Sequence, residues 1–504
     1  MKTRNLFLSL FAFAALCACN KENPEVPQVL GEDAYLSVRI TTADADTKAV
    51  DGGFEVSTTE NEVKNVLFAF FAADGTFMYT REITTFTWNT ANTENPNVEK
   101  VSNAQVVLDG KTIAPRQMVV VLNYTSNIKT AIESVGNLSG MYATLKTADF
   151  NWEESSTTYF VMSNSSYWAN NKNAFAAQID ESDIYKAGET PTIDQIVDVY
   201  VERVAAKLTA TTSPSLVTTK KPLELSTGET IKYYPVIEGY AFTGTKENSY
   251  LCKNIEGLYN SINENWPGWN EPANKRSYWG VSTDGDLGYV DYDNVNNSSG
   301  YFMYCHENMS VNKTKLMVKA TIMQDINSDD DPVNDVVLEV VKVGATYYPK
   351  SDLETVIVTE LNNAGVKISD AEVTIGNLKY VGVEGSGYKS KITLEGTITA
   401  ETEAAATIMA KYAEVLVWDD GKAYFFTAVE HLGNALTGTD YGVVRNHIYN
   451  LTVSKIAGLG TPYVPGIGGD GGDPVVPEEV DYELQAKINI LKWKVVSQDV
   501  QFGE

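Results

Sequence analysis

Basic charge, histidine and cysteine are scarce in this chain. Its 504 residues carry 39 Lys and Arg against 66 Asp and Glu, a formal net charge of -27. Holding a phosphate backbone or an anionic bilayer takes clustered cations, so this balance argues against nucleic acid and acidic membrane as partners. Only 3 His and 4 Cys are present, which leaves little material for imidazole or metal chemistry. There is no G-x-S-x-G, H-E-x-x-H, P-loop or paired C-x-x-C. His306, His431 and His447 stand apart from one another in sequence and read as structural residues. The sequence therefore predicts no enzyme, no catalytic residue, no cofactor and no metal site. Beyond the first residues, no stretch reaches the roughly 18 uninterrupted apolar residues of a membrane helix.

What is plentiful is β-forming material. Apolar residues make up 43% and aromatics 11%, with 28 Tyr among abundant Thr and Val, side chains that suit a pleated, half-buried surface. The length suggests two or three domains with packed cores.

The first residues read as an address. Lys2 and Arg4 precede the apolar run Leu6 to Leu16, and Leu16-Cys17-Ala18-Cys19 follows. This resembles a bacterial lipobox, so 1–18 is expected to be a signal peptide, with cleavage before Cys19 and lipid on its thiol. Ordinary cleavage without lipid is the alternative. Cys252 and Cys305 remain as a candidate disulfide in an oxidising compartment, or as two buried thiols.

Residues 19–48 form a candidate pro-segment. Asn20 to Gly31 is a polar tether, after which Ala34-Tyr-Leu-Ser-Val-Arg-Ile40 alternates and sets Leu36, Val38 and Ile40 on one face of a strand. The polar loop Thr41 to Gly53 holds Lys48-Ala49, the kind of segment proteases cut. A solvated surface lysine is the plainer reading. Val63 to Phe71, closed by Asp74-Gly75, predicts a strand covered on both faces and a hairpin. Further strands are expected at Gln117 to Leu122, Val197 to Leu208, Leu316 to Met323, Val336 to Val343, Lys389 to Ile398 and Val415 to Trp418, with a helix over Ala400 to Val415. Thr209 to Pro214 suggests a boundary, giving domains 49–209 and 210–465.

The expected fold is mostly β, two β-sandwich-like domains with a tail at 466–504. Gly458 to Pro477 holds seven Gly and four Pro and reads as a tether. Past it, Tyr482 to Ile490 alternates, with Leu484, Ala486, Ile488 and Ile490 on one face. The phase slips at Leu491, before Trp493, which calls for a bulge or a second short strand.

The two terminal segments offer the same period and similar bulk. A tethered strand with one apolar face needs an acceptor edge, because alone it leaves both rows of backbone groups unpaired. Either it folds onto its own domain or it completes a neighbour's sheet by strand addition. Burying four such side chains yields roughly 6–10 kcal/mol gross. Cutting after Lys48 would release the N-terminal strand together with the lipid.

Two surface features invite other chemistry. Asp329-Asp-Asp331 with Asp335, and Asp284, Asp286, Asp291 and Asp293, do not match EF-hand spacing and read as solvated acidic loops. Trp266, Trp269, Tyr278 and Trp279 suggest a carbohydrate platform, or a core cluster. A surface carbohydrate-binding lipoprotein is thus the alternative function.

An ordered set of segments resembles the fimbrillins, the subunits of Bacteroidales type V pili, with the nearest likeness to the shaft subunits of minor fimbriae. They are Glu62-Val-Lys-Asn-Val-Leu-Phe-Ala-Phe-Phe71 with Asp74-Gly75, Val199-Tyr-Val-Glu-Arg-Val-Ala-Ala-Lys207, Arg276-Ser-Tyr-Trp279, Tyr304-Cys-His-Glu-Asn308, and Tyr441-Gly-Val-Val-Arg-Asn-His447 through Gly458-Leu-Gly-Thr-Pro462. The resemblance implies transthyretin-like β-sandwich domains and lipoprotein export to the outer membrane. It also implies removal of the N-terminal strand by a trypsin-like surface protease, then polymerisation by C-terminal strand exchange into an extracellular fimbrium. The implied partners are identical subunits, anchor and tip subunits, and host or bacterial surface ligands. The best-known family pattern has Arg at the cut, where this chain has Lys48. The complete tail at 478–504 favours a shaft role over an accessory or tip one.

Overall fold

The computed structural model describes residues 34–43 and the greater part of 60–253, 287–463 and 484–502. The chain divides into two units, one built chiefly on Thr58–Arg203 and the other on Val204–Ser249 and Ser282–Glu504, with Tyr250–Val281 joining the first. The division falls inside the apolar run expected as one strand over Val197 to Leu208. That run is two strands, Ile196–Arg203 and Ala205–Thr219. Thr209 to Pro214, expected as a boundary, lies within the second. Pro214 sits where that strand's parallel ladder is interrupted, between Thr212 and Val217, so its missing N–H removes no ladder bond.

In the first unit the strands are β1 (Ala34–Ala43), β2 (Val66–Phe71), β3 (Phe77–Ile83), β4 (Trp88–Thr90), β5 (Val98–Leu108), β6 (Gln117–Leu122), β7 (Met162–Asn164), β8 (Ile184–Lys186) and β9 (Ile196–Arg203). All six residues of β2 are buried, as its unbroken apolar run requires of a strand covered on both faces. The turn into β3 uses Gly75 at φ +82°, a conformation open to glycine at no steric cost. Asp74 Oδ1 accepts from the Thr76 amide at 2.9 Å beside it. The hydrogen-bonded order is β3-β2-β6-β7-β9-β1-β5-β4, with β8 also on β1. The path curls, because Arg81 Nε on β3 donates to the Val107 carbonyl on β5 at 3.2 Å.

The second unit contains β10 (Ala205–Thr219), β11 (Lys221–Glu224), β12 (Thr230–Thr243), β13 (Gly300–His306), β14 (Lys315–Asp325), β15 (Lys422–Ala428), β16 (His447–Ala457) and β17 (Lys494–Phe502). One sheet runs β13-β10-β16-β17 and the other β11-β12-β14-β15. Ala206, Leu208, Leu451 and Val453 from the first pack with Phe242, Leu316, Val318 and Phe425 from the second in one buried core. Two sheets sharing a core in this way make a sandwich.

Val336 to Val343, expected as one strand, is split. Val336–Val337 pairs with β14, while Val340–Val343 joins a separate three-stranded sheet with Thr346–Pro349 and Leu416–Trp418. Leu353, Ile357 and Leu361, one face of helix Lys350–Asn363, pack with Val341, Ala405 and Tyr412 beside that sheet. The second helix, Glu403–Lys411, falls in the stretch expected to be helical.

The tether begins later than its composition suggests. Gly458 and Gly460 take φ +93° and +61°, and the chain between them turns so that Thr461–Pro462 pairs with Ala423 and Tyr424 of β15. Glycine here serves a tight fold, not a loose linker. Residues 464–483 lie outside the described residues.

Candidate functional site

β1 occupies an interior position in the first unit's sheet, although it is the most N-terminal strand described. It runs antiparallel to β5, with Leu36 opposite Val106, Val38 opposite Ala104 and Ile40 opposite Ser102. On its other side it runs parallel to β9, with Val38 beside Val197 and Ile40 beside Val199, while Ala34, Tyr35 and Leu36 pair with β8. Ladder bonds therefore hold it along both flanks. Ser102, Ala104, Val106, Val197 and Val199 are all buried, and Leu36 is 0% exposed. Covering one large aliphatic side chain this fully is worth about 1.5–3 kcal/mol.

Taking β1 away would separate β5 and β4 from the remaining strands and expose two facing rows of unpaired backbone groups. Side-chain bonds would still tie β5 to the strands beyond the gap, the Arg81 contact from β3 among them. Gln105 Nε2 on β5 donates to the Tyr185 hydroxyl on β8 at 3.0 Å; since these strands flank β1, the bond crosses over it. Sequence reasoning missed this strap, because an exposed glutamine in a strand carries no signal of its own. The same holds for the Arg81 contact to β5.

The tail is placed against the second unit. β17 runs parallel to β16, from His447 beside Lys494 to Lys455 beside Gln501. Leu484–Gln485 and Ile488–Asn489 pair antiparallel with β17, a strand that runs on to Phe502, well past the alternation of Leu491, Trp493 and Val495. Leu484 and Ile488 of the expected donor face lie in these short strands. Ala486, Ile490 and Trp493 lie outside the described residues, as do Cys19, Lys48, Ala49 and the aromatic group Trp266, Trp269, Tyr278 and Trp279.

Cys252 and Cys305 are both buried, and Cys305 is a free thiol, so the disulfide considered from the sequence is not formed. Burial alone pushes the Cys305 thiol up to about 12, which keeps it protonated and inert.

Two distant segments of the fimbrillin-like set meet in the second unit. Arg445 donates to Glu307 Oε1 through Nε at 3.0 Å and Nη2 at 2.7 Å, and the backbones of Asn308 and Val443 bridge beside them. The Val444 amide donates to the Tyr449 oxygen, which lies 2.7 Å from His431 Nδ1. His447 Nδ1 is 2.7 Å from the Arg445 carbonyl oxygen. His306 Nδ1 is 2.9 Å from the Ser249 hydroxyl. All three histidines are buried and hydrogen-bonded. Its chemistry is that of a scaffold.

The chain is mostly β, and its N-terminal segment supplies an interior strand of the first unit's sheet. Comparison with known families gives the class a name. The model of the major fimbrial subunit protein FimA matches residues 34–226, beginning at the first residue of β1. That of the fimbrillin C-terminal region of the major fimbrial subunit protein type IV matches 417–499. Together they cover more than half of the chain, which belongs to the fimbrillin family of fimbrial subunits, structural proteins of the cell surface and not enzymes. No curated protein matches it.

Solved structures similar to it include a fimbrilin (fimA) of Porphyromonas gingivalis W83, at 14% identity over 95% of this chain and 99% of that one, TM-score 0.34. The tip fimbrial protein Mfa3 of Porphyromonas gingivalis is similar at 13% identity over 58% and 80%, TM-score 0.28. The fimbrial anchor protein Mfa2 of the same organism is similar at 10% over 56% and 76%, TM-score 0.24.

Proposed function

We propose that the chain is a shaft subunit of a minor-type fimbrium, made as a precursor and polymerised by strand exchange. In this reading Cys19 carries the lipid that brings the precursor to the outer membrane. A trypsin-like surface protease then cuts at Lys48-Ala49, and the pro-segment 19–48 leaves with β1. The tail of another subunit, with Leu484, Ala486, Ile488, Ile490 and Trp493 as the donor side chains, fills the slot between β5 and β9. Anchor and tip subunits terminate the filament, which supports adhesion to host or bacterial surfaces.

The observation that carries this reading is the place of β1. It is a short N-terminal strand in the interior of a sheet, ending at Ala43 just before the candidate cut. Its loss would leave a slot flanked by buried Val106, Ala104, Val197 and Val199, which only another extended chain can satisfy.

A recombinant chain beginning at Ala49 is expected to form SDS-resistant ladders, and the same chain ending at Pro477 to stay monomeric. Ladders from the shortened form would refute exchange through the tail. Mass spectrometry of the surface protein's N-terminus checks the cut independently: the expected first residue is Ala49, and an acylated Cys19 on assembled filaments overturns the trimming step.

A further inference from the structure

Without β1, the wall formed by β5 loses its ladder to β8 and β9, yet side chains already reach it from two sides. Across the slot, Gln105 Nε2 on β5 donates to the Tyr185 hydroxyl on β8 at 3.0 Å. Gln105 lies opposite Ser37 and Tyr185 opposite Tyr35, so the bond passes obliquely over the backbone of β1. Round the curl from the other side, Arg81 Nε on β3 donates to the Val107 carbonyl of β5 at 3.2 Å. Arg81 is itself fixed: its Nη1 donates to the Thr80 carbonyl at 3.1 Å, and its guanidinium carbon stands 4.7 Å from the centre of the Tyr79 ring.

The opposite wall is tied in the same way. β8 pairs with β1, and a side-chain bond also holds it by β9. Gln195, the residue before β9, donates through Nε2 to the Ser182 carbonyl at 2.8 Å, and its Oε1 accepts from the Thr192 amide at 2.9 Å. Tyr185 is 4% exposed, so its hydroxyl rides on a ring fixed by packing. These bonds join β9, β8, β5 and β3 in turn, and none of them passes through β1.

We propose that Gln105 and Tyr185 are positioning residues for strand exchange: their bond keeps β5 one strand's width from β8 once β1 has gone, so that an incoming strand meets a slot already set to receive it. This rests on the strand-exchange reading above and adds the residues that prepare its acceptor. Paired strands lie about 4.8 Å apart, so two walls flanking one strand stand about 10 Å apart. A wall free to drift satisfies that spacing only part of the time, and the apparent affinity for a strand falls by the same fraction. A neutral hydrogen bond changes such a fraction by roughly three- to tenfold. The Arg81 bond holds β5 to the body of the unit, whereas the Gln105 bond spans the slot and sets its width. A strap that merely steadied β1 in its seat would act with the opposite sign, since its loss would loosen β1 and speed exchange.

The test empties the slot in a chain that is already folded. The full precursor is cut after Lys48 by limited digestion with a lysine-specific protease, the cut is verified by mass spectrometry, and the released segment is removed. Two readouts follow: the growth rate of SDS-resistant ladders, and the affinity of the cut chain for a fluorescent peptide of residues 34–43, the span of β1. Gln105→Ala and Tyr185→Phe should each slow the ladders and weaken the peptide by roughly three- to tenfold. Gln105→Glu should restore both, because the Tyr185 hydroxyl can donate to the new carboxylate, and adding Tyr185→Phe to it should remove the rescue. Unchanged or faster ladders and unchanged peptide affinity in Gln105→Ala overturn the proposal, as does failure of Gln105→Glu to rescue. Failure of the strand-exchange reading looks different: a wild-type chain that forms no ladders but rebinds the peptide, more weakly in the two strap variants, has a strapped slot that the tail does not fill. A wild-type chain that neither forms ladders nor rebinds the peptide overturns both.

Discussion

Arg445 and Glu307 show what a single residue carries in this fold. Their side chains are 0% and 7% exposed and lie 2.7 Å apart, joining segments separated by 138 positions. Removing one partner of a buried pair strands the other charge and costs about 3–5 kcal/mol. Arg445→Met is therefore expected to lower the unfolding free energy of the second unit, read from urea titration, by that amount, whereas Arg445→Met with Glu307→Leu should recover much of the loss. Gly460 makes a separate demand. It sits at φ +61°, and a Cβ there would meet the Tyr424 carbonyl oxygen at 2.6 Å and the Phe425 ring at 2.8 Å. Gly460→Ala should cost about 1–3 kcal/mol, read as a drop in Tm. Both residues lie in segments that the family resemblance had already picked out. Their importance was legible in the sequence; their partners were not, because nothing in a linear pattern says that Glu307 lies against Arg445.

At the scale of elements, alternation and apolar runs proved good guides to where strands lie and poor guides to what they pair with. Gln117 to Leu122 is β6 as expected, and Ala34 to Ile40 is β1 with three residues more. Yet no periodicity could place β1 between β5 and β9, since its parallel partner lies far along the chain and parallel registers have no local turn to fix them. The merged strand over Val197 to Leu208 failed for a related reason: an apolar run stays apolar while the chain passes from one sheet to the next, so hydrophobicity alone cannot mark Val204 as the break. The donor face of the tail was readable as a strand signal, whereas β17 was not, because Ser497, Gln498 and Asp499 interrupt its apolar pattern. The role of β1 gives a direct prediction. Leu36→Ala should destabilise the full chain by about 2–5 kcal/mol in urea unfolding, with a smaller effect of about 1 kcal/mol for Tyr185→Phe, which removes the strap to Gln105. In hydrogen exchange, the monomeric chain beginning at Ala49 and ending at Pro477 should lose protection across β5 and β9 while β14 and β15 stay protected. Unchanged protection at β5 would mean that β1 does not hold that part of the sheet.

At the scale of the whole molecule, the abundant tyrosines set an alkaline limit. Burial pushes Tyr233 up to about 12, and Tyr240 and Tyr301 also lie above their usual value of 10.0, chiefly through burial. Because the folded chain binds these protons more tightly than the unfolded one, their stabilising contribution is complete below pH 10 and is lost as pH rises towards 12. The urea midpoint should fall steeply over that interval, and a share of the tyrosinate absorbance of the 28 Tyr should appear only together with unfolding; complete tyrosinate absorbance from a still-folded chain would contradict the burial of these rings. The interior seat of β1 also has a mechanical consequence. A strand at the rim of a sheet can be peeled away one bond at a time, but one clamped on both flanks must break many bonds at once when drawn lengthwise. If successive protomers are joined through that seat, tension along the fibre loads the joint in shear, and the thread should withstand forces that would unzip a rim-to-rim contact.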